Sequence, residues 1–159
     1  MGKTREQKPT SGITRSKGYV NIFLAGSIEQ GVAEDWQTKI VNTFPDEWVI
    51  FYNPRRDSWD STWVQSIDNK QFKDQVIWEL TALEMADLII VYFDPSTKSP
   101  ISLLELGLHA NHNLVVLCPE GFWRKGNVDI VCKFYNISQV ETFDDLINYI
   151  DAYIQNNTK

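Results

Sequence analysis

The sequence predicts an α/β domain of three layers, with a mostly parallel sheet of about five strands covered by helices on both faces. Three observations lead there. Short apolar runs alternate with amphipathic stretches of helix length from residue 19 almost to the end of the 159-residue chain. The runs are continuously apolar, as in LIIVYF at 88–93, which suits strands buried on both faces. Turn-forming pairs such as Gly26-Ser27 and Asn53-Pro54 close the first two of them.

Each element follows in order. Residues 19–25 (YVNIFLA) read as a strand, and 32–43 as a helix. The second strand is 48–52 (WVIFY), followed at 55–69 by a polar and aromatic loop whose length marks it as functional rather than connecting. A helix over 71–85, a buried strand over 87–93, a helix over 100–109 and a strand over 114–118 come next. A short strand at 135–137 and an amphipathic helix at 143–154 complete a Rossmann-like (flavodoxin-like) order. Residues 1–18 are rich in Gly, Ser, Thr and Pro and lack apolar periodicity, so they read as a disordered basic tail ahead of a single domain, 19–159.

Composition narrows the class further. At 43% hydrophobic and 23% charged residues the chain can bury an ordinary core. Its longest apolar run is far below the roughly 20 residues that span a bilayer, and no secretory pattern opens it, so a cytoplasmic protein without a membrane partner is expected. The tail holds five basic residues and one acid, so a chain total of -6 leaves -10 on the domain. A body that acidic repels a phosphate backbone, which argues against nucleic-acid polymers as partners. Cys118 and Cys132 have no metal-finger spacing and read as packed free thiols.

In folds of this kind ligands sit at the carboxyl ends of the strands. That places the site at Gly26 and Ser27, at the loop from Asn53, at 94–99 and after Pro119. The Gly26-Ser27 turn either cradles an anion or simply ends its strand, since neither GxGxxG nor GK[ST] is present. In the long loop, Arg56 and Asp57 offer hydrogen-bonding groups to a heterocycle's edge, and Trp59 and Trp63 offer stacking faces, unless the loop packs its own tryptophans.

Two helical carboxylates stand out. On the helix over 71–85 the apolar stripe reads Phe72, Val76, Leu80 and Leu83, with Glu79 at its margin; a carboxylate there either reaches solvent from the rim or has a partner or task. Ser99 reads as the N-cap and Pro100 as the first residue of the next helix. There Ser102, Glu105, His109 and His112 share a polar stripe, either a solvated face with a Glu105–His109 pair or part of a site. The H-x-x-H spacing lacks a third ligand, so no metal is expected.

Taken together, FLAGSI (23–28), NPRRDSWDS (53–61), WELTALEMADLIIVYFDP (78–95) and SPISLLELGLHA (99–110) resemble the nucleoside 2-deoxyribosyltransferase family and its deoxynucleotide N-hydrolase relatives. The resemblance covers about residues 20–135, and its most specific part is a helix acid, then ADLIIVYF, then S-x5-E-L-G-x-x-A. It implies that 19–159 is a catalytic domain using no cofactor, with a deoxynucleoside and a free nucleobase as its small-molecule partners. Glu105 matches the family nucleophile that attacks C1′ of deoxyribose, and Glu79 matches the acid, aspartate in well-known members, that handles the base's proton. Ser99 stands where hydrolases of the group carry serine and some transferases aspartate. Glu29 replaces the arginine by which hydrolases engage a 5′-phosphate, which favours a nucleoside over a nucleotide. Phe23 replaces a tyrosine that hydrogen-bonds the nucleophile in relatives.

Asn127 and Asp129 match an Asn and an acid that, in related enzymes, reach the 5′-hydroxyl from a neighbouring subunit. A homo-oligomer whose sites are completed by that neighbour follows from the resemblance, and the wide apolar arc of the Pro100 helix is compatible with it. The chemistry suits the residues: one carboxylate captures an oxocarbenium-like C1′ and a second, its pKa raised by apolar neighbours, moves the base's proton. The leading expectation is therefore a nucleoside 2-deoxyribosyltransferase acting through a covalent glutamyl-deoxyribosyl intermediate. Its alternatives are an N-glycoside hydrolase of 2′-deoxynucleosides or their 5′-monophosphates, and a non-catalytic nucleotide sensor, which would need no nucleophile.

Overall fold

The structure, a computed structural model, describes residues 3–29, 33–56 and 60–158. A short strand β1 (Arg5–Gln7) precedes the long strand β2 (Val20–Gly26), every residue of which is buried. Helix α1 (Trp36–Thr43) leads to β3 (Val49–Tyr52), and α2 (Lys70–Met85) leads to β4 (Leu88–Tyr92). Then come α3 (Pro100–Leu108), β5 (Leu114–Leu117), α4 (Lys125–Phe134), β6 (Ser138–Val140) and α5 (Phe143–Asn157).

All six strands are parallel, in the order β1-β3-β2-β4-β5-β6. Because side chains alternate along a strand, each central strand feeds two cores. Phe23, Ala25, Ile89, Val91 and Val116 pack with Trp78 and Leu83 of α2, Leu106 of α3 and Val128 of α4. Their sequence neighbours Ile22, Leu24, Leu88, Ile90 and Val115 pack on the other face with Trp36 and Ile40 of α1 and with Leu146 and Ile150 of α5. The chain leaves β2 through α1 for β3 on one side and returns through α2 to β4 on the other. This reversal opens a crevice at the carboxyl ends of β2 and its neighbours, where such folds take ligands.

Several expectations are corrected. The three-layer parallel fold is as expected, but the segment read as a disordered tail adds a strand to the sheet: Arg5, Glu6 and Gln7 of β1 pair with Ile50, Phe51 and Tyr52. Residues 4, 14 and 15 of that segment are also anchored. Thr4 Oγ1 donates to Phe44 O, Tyr52 OH donates to Thr14 O at 3.0 Å, and Arg15 pairs with Asp87 at 2.7 Å. Polarity concealed this, because an edge strand takes backbone bonds from its neighbour and needs little apolar side-chain burial.

Helix α4 was not expected, since Gly126, Asn127 and three β-branched residues give it weak propensity; burial of Val128 and Cys132 compensates. The last strand is Ser138–Val140, after the expected residues 135–137, because Tyr135 caps α4 and Asn136 turns the chain at φ 55°. On α2 the inward face is Gln75, Trp78, Ala82 and Leu83, whereas Leu80 is 42% exposed. The stripe expected from the sequence lies too far toward Val76 and Leu80. Helix α1 is described from Trp36, capped by Asp35, whose Oδ1 accepts from Thr38 N at 3.1 Å. Among the described residues no helix is long and apolar enough to cross a membrane.

Candidate active site

The crevice begins at Gly26. It has φ +137°, and a Cβ there would meet Tyr92 O at 2.2 Å, so only glycine lets β2 and β4 come this close at their ends. The next residue, Ser27, is buried, and its Oγ lies 2.8 Å from Thr97 Oγ1 and 2.6 Å from Ser99 Oγ. It also accepts from Asp94 N at 2.8 Å. These hydroxyls tie the loop after β2 to the loop after β4, so Ser27 serves as a knot in the floor of the crevice and not as an open anion cradle.

Ser99 does occupy the N-cap position of α3, in the left-handed region at φ 46°, but its side chain makes no capping bond. Glu29 caps instead: its Oε1 accepts from Lys98 N at 2.9 Å and from Ser99 N at 3.0 Å. A carboxylate thus already sits on the amides at the start of the helix, where negative charge is favoured.

Helix α3 then delivers Glu105, which is 8% exposed, with Ser102 and His109 also buried on the same side. The solvated-face reading of this stripe is therefore wrong. Nor do Glu105 and His109 pair through side chains: His109 Nδ1 lies 3.1 Å from the Glu105 main-chain oxygen, and Nε2 lies 3.1 Å from Glu84 Oε1 on α2.

Helix α2 lies on the same face of the sheet and carries Glu79, partly buried and near enough for its charge to be felt at Glu105. Burial pushes Glu79 up to about 7, opposed by a 2.6 Å hydrogen bond from Gln75 Nε2 to its Oε1. Glu105 is pushed up to about 8, by burial first and by the Glu79 charge second. Both carboxyls are thus harder to ionise than an ordinary glutamate, Glu105 the more so because it feels the Glu79 charge. Acid-assisted attack at an acetal-like carbon calls for two carboxyl groups, one protonated and one ionised.

The other expected residues divide. Asn53 is fully buried; it takes Glu6 through Nδ2 at 2.7 Å, and its Oδ1 accepts from Arg55 N at 3.0 Å. Arg56 stacks over the Trp63 ring at 4.7 Å, so the loop does pack that tryptophan itself. Asp57 and Trp59 lie outside the described residues. Asn127 and Asp129 are on α4, where Asp129 pairs with Lys125 at 3.0 Å and accepts from Gln139 of β6 at 2.6 Å. They stand toward the sheet edge opposite β3 and Asn53, so one chain does not gather them beside Asn53. Phe23 is buried against Trp78, ring centroids 6.5 Å apart, and offers Glu105 no hydroxyl.

Sequence reading missed Gln75, Thr97 and the capping role of Glu29. For Gln75 a signal existed: it stands four residues before Glu79, the spacing at which helical side chains meet.

The model of the family described as "Nucleoside 2-deoxyribosyltransferase like" matches residues 19–122, about two thirds of the chain. A search of curated protein sequences gives no match. Among solved structures, a conserved protein from Enterococcus faecalis V583 superposes with a TM-score of 0.62 at 13% identity, covering 85% of this chain and 99% of that one. At that identity the likeness speaks for the fold.

Proposed function

Since the chain belongs to the nucleoside 2-deoxyribosyltransferase-like family, we propose that it moves 2-deoxyribose between nucleobases through a covalent intermediate on Glu105. The observation that supports this most is the pair of buried carboxyls on α2 and α3, each pushed well above the usual glutamate range.

In the first half-reaction a Glu105 oxygen bonds to C1′ as the C1′–N bond breaks, and the Glu79 proton goes to the departing base. In the second, a nitrogen of the incoming base attacks C1′, the ester to Glu105 breaks, and Glu79 takes back a proton. With Glu105 pushed up to about 8 and Glu79 to about 7, Glu105 is the harder of the two to ionise before substrate binds. Positive charge developing at C1′ favours the ionised form of the group facing it, which moves the proton to Glu79 as the reaction proceeds.

The capping carboxylate of Glu29 supports a nucleoside over a nucleotide, since the amides of Lys98 and Ser99 are already occupied and its charge repels a phosphate. Ser99 supports the second reading, in which water rather than a base completes the reaction. A homo-oligomer is part of the proposal. Ile101, Leu104 and Leu108 leave α3 with an outer apolar face, each more than half exposed, and a neighbouring chain could supply the distant Asn127 and Asp129.

Incubation of the protein with thymidine and adenine, followed by chromatography, tests the reading. Thymine released with an equal amount of deoxyadenosine means transfer, and thymine alone means hydrolysis. Release of neither rejects both.

A further inference from the structure

The family match begins at residue 19, yet the segment before it reaches the crevice. Strand β1 runs parallel to β3 with Gln7 opposite Tyr52, so it ends at the edge that bears Asn53. There Asn53 N donates to Gln7 O at 2.9 Å, and Asn53 Nδ2 donates to Glu6 Oε1 at 2.7 Å. The chain then turns back along α2, where Trp78 Nε1 donates to Ser11 O at 3.0 Å.

Both contacts lead to Glu79. Trp78 is the residue before it. Pro54, which follows Asn53, accepts through its carbonyl from Gln75 Nε2 at 3.2 Å, and the same nitrogen donates to Glu79 Oε1. The carboxyl is thus steadied from two directions by groups that residues 6–11 hold in turn.

We propose that Glu6 is a positioning residue for the reaction: by fixing Asn53 it fixes the Pro54 carbonyl, hence Gln75, hence the direction of the Glu79 carboxyl. The inference rests on the transfer reading above. Asn53 is fully buried beneath an exposed Glu6, so loss of the carboxylate leaves its Nδ2 donor with no protein partner to fix the direction of the amide. The amide must then shift, and displacement of a catalytic group by a fraction of an ångström is costly in rate.

The test compares Glu6→Thr, which suits an edge strand but cannot reach Asn53, with Glu6→Gln, which keeps an acceptor. Steady-state thymidine–adenine transfer and amide hydrogen exchange at Arg55 are measured on full-length protein. Glu6→Thr should lower kcat about tenfold with KM little changed, and Arg55 should exchange faster; Glu6→Gln should restore most of both. Unchanged kcat in Glu6→Thr overturns the proposal, whether or not exchange quickens, and an equal loss in Glu6→Gln overturns the hydrogen-bond account. Should Glu6→Thr fail to fold, Glu6→Ala carries the same expectations. A wild-type protein that releases no base overturns the transfer reading itself, and the exchange comparison then shows separately whether Glu6 holds Asn53.

Discussion

Gln75 Nε2 sits 2.6 Å from Glu79 Oε1, one helical turn back along α2, and the same nitrogen lies 3.2 Å from Pro54 O. An amide donor favours the ionised form of the carboxyl, so it holds Glu79 lower than burial alone would. Gln75→Leu removes the donor at similar volume. The alkaline limb of the pH–rate profile, which reports loss of the last proton from the Glu79–Glu105 pair, should then move up by as much as about one pH unit, the equivalent of about 1.4 kcal/mol. A limb that stays in place, or moves down, would mean that Gln75 does not govern this proton.

Glu105 makes a prediction about stability. Its pKa is raised by burial from an ordinary 4.5 to about 8 in the folded protein. Between those values the folded state holds a proton that the unfolded state has lost, so stability falls as pH rises through this window. Glu105→Gln cannot ionise and escapes that loss. It should therefore melt higher than the wild type at pH 8, by about 3 °C if a single pKa unit is recovered, with little or no gain at pH 4.5. Calorimetry at the two pH values decides it: an equal shift at both would place the effect in packing and not in the charge.

Deleting residues 1–17 should lower the melting temperature by about 5 °C or more, since it removes β1 and several anchoring bonds worth about 0.5–1.5 kcal/mol each. Unchanged melting would show that these contacts do not persist in solution.

That segment also marks the limit of what the sequence makes legible. Strands β2 to β5 announce themselves as apolar runs, and Glu79 and Glu105 as charges in apolar helices, because burial leaves a compositional trace. Strand β1 is Arg-Glu-Gln and β6 is Ser-Gln-Val; each depends on hydrogen bonds from a neighbour distant in sequence, and such bonds leave none. Helix α4 is similar, its weak propensity overruled by the pocket that receives Val128 and Cys132. In the candidate site, Glu79 and Glu105 could be singled out from the sequence, whereas the contacts of Gln75, Glu29 and Glu6 come about only in the folded chain.

Glu79→Gln should slow transfer in a way that depends on the leaving base. General acid assistance of about 10² to 10⁴-fold matters most for bases that leave poorly and least for an activated base that departs unprotonated. Equal losses with natural and activated substrates would assign Glu79 a structural role.

The covalent step rests on Glu105. Glu105→Ala should abolish transfer while the protein still folds, because alanine suits a helix interior and the carboxyl it replaces is buried at a cost. Inactivity alone does not establish a bond to C1′, since a carboxylate that only stabilises the cation electrostatically would be missed as much. Mass spectrometry separates the two. Wild-type protein mixed with a deoxynucleoside and no acceptor base should gain one deoxyribosyl unit on the peptide that contains Leu103, Leu104, Glu105, Leu106 and Gly107, and Glu105→Ala should gain none. If base is released and that peptide stays unmodified at every time sampled, the ester does not form, and direct displacement of one base by another at C1′ takes its place.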